Sequence, residues 1–215
     1  MSFFNYDSMF LRAVSKLMDM IFLSILWVVA SLPLVTIGAS TTALYYTVNK
    51  VICHDRSYVW QSFRKSFKEN FKQATIVWLI NLGIYIVLGM DIYIMYAFYK
   101  AGEILEAYYL LLFILTAFVT IWGSYVYPYI ARFIDNTKQV MGNALKLAVG
   151  NIFWSILIFI CFVLTVLVIY IVPIAIIIMP AVYMLAVNKI VERIFRKIMP
   201  KEELEAELER NRKII

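Results

Sequence analysis

Long uncharged segments alternate with short charged ones along this chain, and their lengths predict helices that cross a membrane. An α-helix rises about 1.5 Å per residue, so about 20 residues cross the roughly 30 Å hydrocarbon core of a bilayer. Residues 107–131 fit one span, and residues 73–98 fit another that is interrupted only by Asp91. Residues 147–188 are about twice the length of one span. We therefore expect two spans there, joined by a turn at or soon after Pro173.

The first uncharged segment, residues 20–49, is too long for one comfortable crossing and short for two. Pro33 disfavours a continuing helix, and the small polar residues that follow it can cap a new one. We predict a hairpin in which one helix ends near Leu34 and a short second helix returns to Lys50. The alternative is a single broken span.

The charged segments decide the predicted orientation, because Lys and Arg accumulate on the cytoplasmic side of a membrane. Residues 50–72 and 132–146 are rich in Lys and Arg, whereas residues 99–106 are not. A cytoplasmic N-terminus with Arg12 and Lys16 then requires an even number of spans. The charge pattern favours six spans with cytoplasmic N- and C-termini, and leaves five as the alternative.

These elements predict an all-α protein, a polytopic transmembrane helical bundle with interfacial amphipathic connecting helices. The transmembrane helical domain covers residues 1–198, and a cytoplasmic helical tail covers residues 199–215. Composition supports a membrane protein: 63% of the residues are hydrophobic and 16% are charged, whereas a soluble domain has about 25% charged residues.

Few residues offer catalytic or metal-binding chemistry. The sequence has two cysteines and one histidine, and it lacks a CxxC pair, a phosphate-binding loop and a zinc-protease motif. The net charge of +6 comes from basic residues that flank apolar segments, which indicates a lipid bilayer rather than nucleic acid as the partner. We therefore expect a protein that is not an enzyme and has neither a cofactor nor a metal.

One charged segment has the pattern of an amphipathic helix, with aromatic residues on one face and basic residues on the other. The candidate contacts with a partner or with lipid are Phe63, Arg64, Phe67, Lys68 and Phe71. Such a helix suits the membrane interface, with rings in the acyl boundary and cations near phosphates. It is either a plain connector or a docking helix for a partner. Residues 140–151 form a weaker second connector.

Two polar residues in the predicted spans, Asn81 and Asp91, form a candidate intramembrane site. An ionisable residue within a span is costly and is often functional. Asp91 lies toward the outer end of its helix, where it can reach water or Lys100, so a structural role is the alternative. Asn81 is suited to hydrogen-bond a neighbouring helix.

Two stretches carry a family resemblance. Residues 26–46 read LWVVASLPLVTIGASTTALYY, and residues 63–74 read FRKSFKENFKQA. In their order and spacing they resemble the YesL-like family of largely uncharacterised bacterial membrane proteins. The resemblance is specific across about residues 17–80 and is looser afterwards. It implies a location in the bacterial cell membrane.

The same resemblance implies a function, because the genes of this family often accompany carbohydrate ABC transporters and sensor kinases. The first hypothesis is a non-enzymatic accessory or regulatory subunit that binds a carbohydrate ABC transporter permease or a sensor kinase. The second is a small solute transporter or channel, for which Asn81, Asp91 and Ser124 would supply a polar path. An intramembrane enzyme would need several polar side chains that face one cavity.

Overall fold

The computed structural model describes residues 3–54, 57–100 and 106–199, together with positions 202 and 205. Within these residues the regular structure consists of helices, seven of them α-helices, and includes no strand, so the predicted all-α class is confirmed. The α-helices are α1 (Phe3–Ser31), α2 (Ile37–Thr47), α3 (Val59–Lys100), α4 (Glu106–Arg132), α5 (Thr137–Gly150), α6 (Ile152–Ile171) and α7 (Met179–Ile198). The predicted tail, residues 199–215, lies almost entirely outside the described residues.

Four of these helices are long and apolar enough to cross a membrane, as a multi-pass protein requires. The four segments are Leu11–Ser31, Val59–Tyr96, Tyr108–Arg132 and Ile152–Ile171. The other two helices of the predicted six spans also form, but neither meets that standard of length and apolarity. The short α2 continues only through a π-helical segment, Val48–Ile52, and α7 carries several charges in its second half.

The predicted hairpin after α1 is present. Trp27 Nε1 donates to Thr41 Oγ1 at 3.2 Å, and Lys16 Nζ donates to the carbonyl oxygen of Ile52 at 3.1 Å. These two contacts show that α2 and the π-helical segment return antiparallel to α1. The turn is closed by Thr36, whose hydroxyl donates to the carbonyl oxygen of Ala30 at 2.6 Å.

The third helix corrects one prediction. We expected an interfacial connector before residue 73 and a separate span after it, but Val59–Lys100 is one helix of 42 residues. It contains no proline, and its buried residues recur with the helical period. The buried residues include Val59, Phe63, Ser66, Ala74, Val77, Asn81 and Leu88. One face therefore stays against the protein across the expected boundary, and nothing in the sequence breaks the helix there.

The last two helices form the second predicted hairpin. A 3-10 segment, Pro173–Ile177, follows the end of α6, and Pro180 lies in the first turn of α7, where proline is tolerated. The rings of Phe162 and Tyr183 are 5.9 Å apart. At the other end of the pair, the Arg193 guanidinium lies 5.7 Å from the Trp154 ring centre, so the two helices are antiparallel.

The helices share one large core and one small one. The large core contains residues from all seven α-helices. It includes small residues of α2, which allow neighbouring helices to approach α2 closely. The small core consists of Leu88, Leu112 and Val119, between α3 and α4. The antiparallel pairings gather the basic segments around residues 52–72 and 132–146 at one end of the molecule, which we call the basic end. We call the opposite end the distal end.

Candidate functional site

A cavity of about 470 Å³ lies among the helices, and six of them line it. We call it the central cavity. Aromatic rings form much of its wall, and they come from Trp27, Trp78, Tyr85, Tyr127, Phe162 and Tyr183. Aliphatic side chains such as Leu44 and Val187 fill the spaces between the rings. A cavity of this size and lining is typical of a site for a small molecule.

Most polar groups in the wall are bonded to one another. Tyr85 and Thr120 share a hydrogen bond of 3.1 Å, and Ser124 and Tyr183 share one of 2.9 Å. The indole of Trp27 donates to the neighbouring Thr41. Because these groups are already paired across helix interfaces, they stabilise the shape of the wall and offer few strong contacts to a guest.

Asn81 is the exception in this wall. Its side chain is 2% exposed, and its Nδ2 donates to the Tyr127 hydroxyl at 3.2 Å. Its Oδ1 is buried and accepts no hydrogen bond from any described residue. A buried acceptor without a donor costs about 1–3 kcal/mol, and most such groups in folded proteins find a partner. The wall therefore holds one unsatisfied acceptor.

The structure separates the two residues of the predicted intramembrane site. Asn81 lines the central cavity, as does Ser124 of the predicted polar path. Asp91 is half-buried and does not line it. Ten residues of helix place it about 15 Å further along α3, toward the distal end. The two side chains do not form one site.

The predicted contact helix forms the first part of α3, and the rings on its aromatic face differ in their burial. Phe63 is buried in the large core, and Phe67 packs partly against it. Phe71 is 40% exposed. The rings stack along the helix, with centroids 6.1 Å apart for Phe63 and Phe67. The aromatic face thus serves chiefly to attach this part of α3 to the protein.

The basic face of the same segment is free of the core. Arg64 and Lys68 are both exposed, as are Lys65 and Lys72. Lys65 lies 3.9 Å from Glu69 one turn later, which is a surface ion pair of small energetic effect. The segment therefore presents a row of cations on a helix whose opposite side is fixed to the bundle.

A buried polar network, which the sequence did not reveal, lies near the basic end. Glu192 of α7 is 6% exposed, and its Oε1 accepts hydrogen bonds from the Tyr45 hydroxyl and from Asn49 Nδ2, both at 2.8 Å. Its Oε2 lies 3.3 Å from Arg132 Nη2 at the end of α4. That contact is an ion pair without the geometry of a hydrogen bond. The network joins α2, the π-helical segment, α4 and α7.

One signal could have drawn attention to this network. Glu192 is the one acidic residue in the sequence of α7, which is otherwise rich in cations. A carboxylate in that position needs a partner, because an unpaired buried charge is very costly. The identity of its partners could not be read from the sequence, since Tyr45 and Asn49 are 147 and 143 residues away.

No cluster of three or more His, Cys, Asp or Glu side chains that could hold a metal occurs in the described part of the chain. Cys53 and Cys161 are not joined by a disulfide. The Cys53 thiol donates to Asn188 Oδ1 at 3.4 Å, beside the Glu192 network. These contacts are structural ones between helices.

Comparison with known proteins gives one match. Residues 20–92 match the family described as protein of unknown function, DUF624. No curated protein and no solved structure matches the chain. The matched segment runs from the middle of α1 through α2 and along α3 as far as Ile92. It therefore contains the first hairpin, the basic face of α3 and Asn81, and it covers less than half of the chain.

Proposed function

We propose that this chain is a YesL-like protein of the bacterial cell membrane that acts as a non-enzymatic accessory or regulatory subunit. Its proposed partner is a carbohydrate ABC transporter permease or an associated sensor kinase. The observation that carries the proposal is the exposed row of cations on α3, mounted on a helix that is packed against the bundle on its other side. The match to a family of unknown function is compatible with this role.

The proposed topology has six crossings, with the basic end in the cytoplasm. The α2 helix and the π-helical segment together span residues 37–52, or about 24 Å, and α7 spans about 30 Å. Because both are extensively buried by neighbouring helices, they need little lipid-facing apolar surface. Six crossings place Lys16 and Arg64 on the same side as Arg132 and Arg193, in agreement with the usual excess of cytoplasmic cations.

The packing of α3 supports a protein partner for its cations. Phe63 and Phe67 attach this part of the helix to the large core, so Arg64 and Lys68 are exposed on a helix surface with a fixed position. A fixed pattern of cations can match an acidic protein surface, and complementary charges of this kind give an interface its specificity.

A photo-crosslinking residue at Gln61 tests this proposal. Gln61 is exposed next to the cations of α3, and Lys138 on α5 offers an exposed control position near the same end. In native membranes, we expect the Gln61 probe to capture a carbohydrate permease or sensor kinase and the Lys138 probe to capture less of it. Crosslinks from Gln61 to lipid alone, or equal capture from both positions, would contradict the docking role.

The second candidate function, a small solute transporter or channel, is favoured by one observation, the central cavity that includes Asn81 and Ser124. Flux of a solute in proteoliposomes would support it. Because Asp91 lies outside the cavity, such flux should depend on Asn81 and survive Asp91→Asn. Absence of flux for sugars and small ions in well-folded protein would count against transport.

A further inference from the structure

The lining of the central cavity determines what kind of molecule it can hold. No described residue in the wall carries a charge, and burying a charge in such a place without a partner would be very costly. The part of a guest that lies inside the cavity must therefore be uncharged. Rings and aliphatic side chains make up most of the wall, so most of the guest must be apolar.

The wall can also satisfy only a few polar groups of a guest. A free sugar carries hydroxyl groups on every side and would need many partners, but most of the wall is apolar. Its hydroxyl groups already bond to one another, and those of Thr120 and Ser124 also donate to backbone carbonyl oxygens of α4. Among the described residues that line the cavity, Asn81 has the one buried side-chain acceptor that lacks a donor, its Oδ1. If the amide were turned around, Oδ1 would accept from Tyr127 and the amide nitrogen would lack a partner instead. A hydroxyl group satisfies the amide in either orientation, because it both donates and accepts.

From these observations we infer that the central cavity binds an uncharged amphiphile, an apolar chain or ring system with a single hydroxyl group that hydrogen-bonds to Asn81. Monohydroxylated membrane lipids and long-chain alcohols have this chemistry. The site is independent of the proposed docking through α3, because the cations of α3 are exposed near the basic end and do not line the cavity.

Two tryptophans in the wall, Trp27 and Trp78, allow binding to be measured without a label on the protein. A bromine atom quenches tryptophan fluorescence on close approach. The full chain in lipid nanodiscs would be titrated with 11-bromo-1-undecanol and with 1-bromoundecane, which lacks the hydroxyl group. Tryptophans that face lipid give quenching that does not saturate, so the saturable part reports the cavity.

In the unaltered protein we expect saturable quenching by the alcohol, with an affinity about threefold to tenfold higher than for the alkane, as one hydrogen bond provides. The substitution Asn81→Leu should abolish that difference. Equal, non-saturating quenching by the two probes in the unaltered protein would overturn the inference. The comparison of the two probes in the unaltered protein tests the inference even if Asn81→Leu fails to fold.

A second pair of variants tests whether the cavity itself is the site. Gly123 lines the cavity, so Gly123→Leu should fill it and remove the saturable quenching. Gly89 is exposed on α3, with no atom within 4 Å of a Cβ built there, so Gly89→Leu is the matched control and should keep it. Unchanged alcohol binding by Gly123→Leu would show that the probe binds elsewhere and would overturn the inference.

Discussion

The two halves of α3 belong to one helix but have different surroundings. The first half, from Val59 to about Asn81, lies along α2 and contributes to the large core. The second half contacts chiefly α4, through the small core around Leu88. In the first half, close backbone approach and polar bonds fix the packing, whereas the second half relies on apolar contacts that lipid tails can replace. The more tightly packed half of α3 is therefore the half that carries the cations.

The largest expected effect comes from the Glu192 network, which ties α2 to α7 and α4 beside the first half of α3. Replacing Glu192 with Ala removes the buried carboxylate next to Arg132 Nη2 and the acceptor for Tyr45 and Asn49. Breaking a buried ion pair in this way costs about 3–5 kcal/mol. We expect a loss of that size in the free energy of unfolding in detergent.

The exposed Glu69 provides the control for that measurement. It pairs with Lys65 on the surface, so Glu69→Ala should change the free energy of unfolding by about 1 kcal/mol at most. Equal losses for the two glutamate variants would mean that the Glu192 network does not hold the helices together.

The next effect concerns the contact between α2 and α3. A Cβ added at Gly38 would overlap the carbonyl oxygen of Ala74 and would lie 2.6 Å from the Trp78 Cβ. Because these atoms belong to the α3 backbone and to the first atom of a side chain, they cannot move away cheaply. Gly38→Ala should lower the free energy of unfolding by about 1–3 kcal/mol.

Gly89 is again the control, since a Cβ there meets nothing within 4 Å. In a helix, Gly89→Ala should be neutral or should stabilise by up to about 1 kcal/mol. Thermal unfolding of both variants in the same detergent would sharpen the comparison between the halves of α3. A stable Gly38→Ala protein would show that the two helices do not pack closely at this point.

A smaller effect is expected around the second half of α3, where Leu112 of α4 packs in the small core with Leu88. Leu112 and Leu23 are equally deeply buried, but Leu112 belongs to the small core between two helices and Leu23 belongs to the large one. Leu23→Ala leaves a closed gap and should cost about 2–3 kcal/mol. Leu112→Ala should cost about 1 kcal/mol, because lipid tails next to the helix pair can fill the space. The reverse order would contradict the comparison.

The smallest effect on stability should come from the cations themselves. Arg64 and Lys68 are exposed, so reversing both charges should change the free energy of unfolding by about 0.5 kcal/mol or less. Unfolding curves of Arg64→Glu/Lys68→Glu should overlay those of the unaltered protein. A large loss would mean that the basic face takes part in the packing of the bundle.

The sequence predicted the parts of the fold that depend on local signals. Apolar runs and the positions of Pro33 and Pro173 led to both hairpins, and the structure contains them. The sequence does not reveal the continuity of α3, because the change in charge near residue 73 suggests a boundary, whereas the periodic burial continues through it. A change in solvent does not end a helix unless a residue such as proline or a cap breaks the hydrogen-bond pattern.

The sites were predictable only in part. Asn81 could be selected because it is a polar residue within an apolar span, and it does line the central cavity. Asp91 meets the same criterion but lies about 15 Å further along α3, because the sequence does not specify at which level of the bundle six helices enclose a cavity. The Glu192 network escaped for a related reason, since its members are brought together only by packing of helices distant in sequence.

We propose that the tightly packed first half of α3 docks a partner in sugar uptake or its sensing. Gentle-detergent purification of the tagged protein from native membranes, followed by mass spectrometry, tests it most directly. The control is Lys138→Glu/Lys146→Glu, which reverses two exposed charges on α5 and changes the net charge equally. We predict stoichiometric recovery of a carbohydrate ABC permease or sensor kinase with the unaltered protein and with this control, and its loss with Arg64→Glu/Lys68→Glu. Recovery of a well-folded protein alone, or the same partner from all three proteins, would contradict the claim.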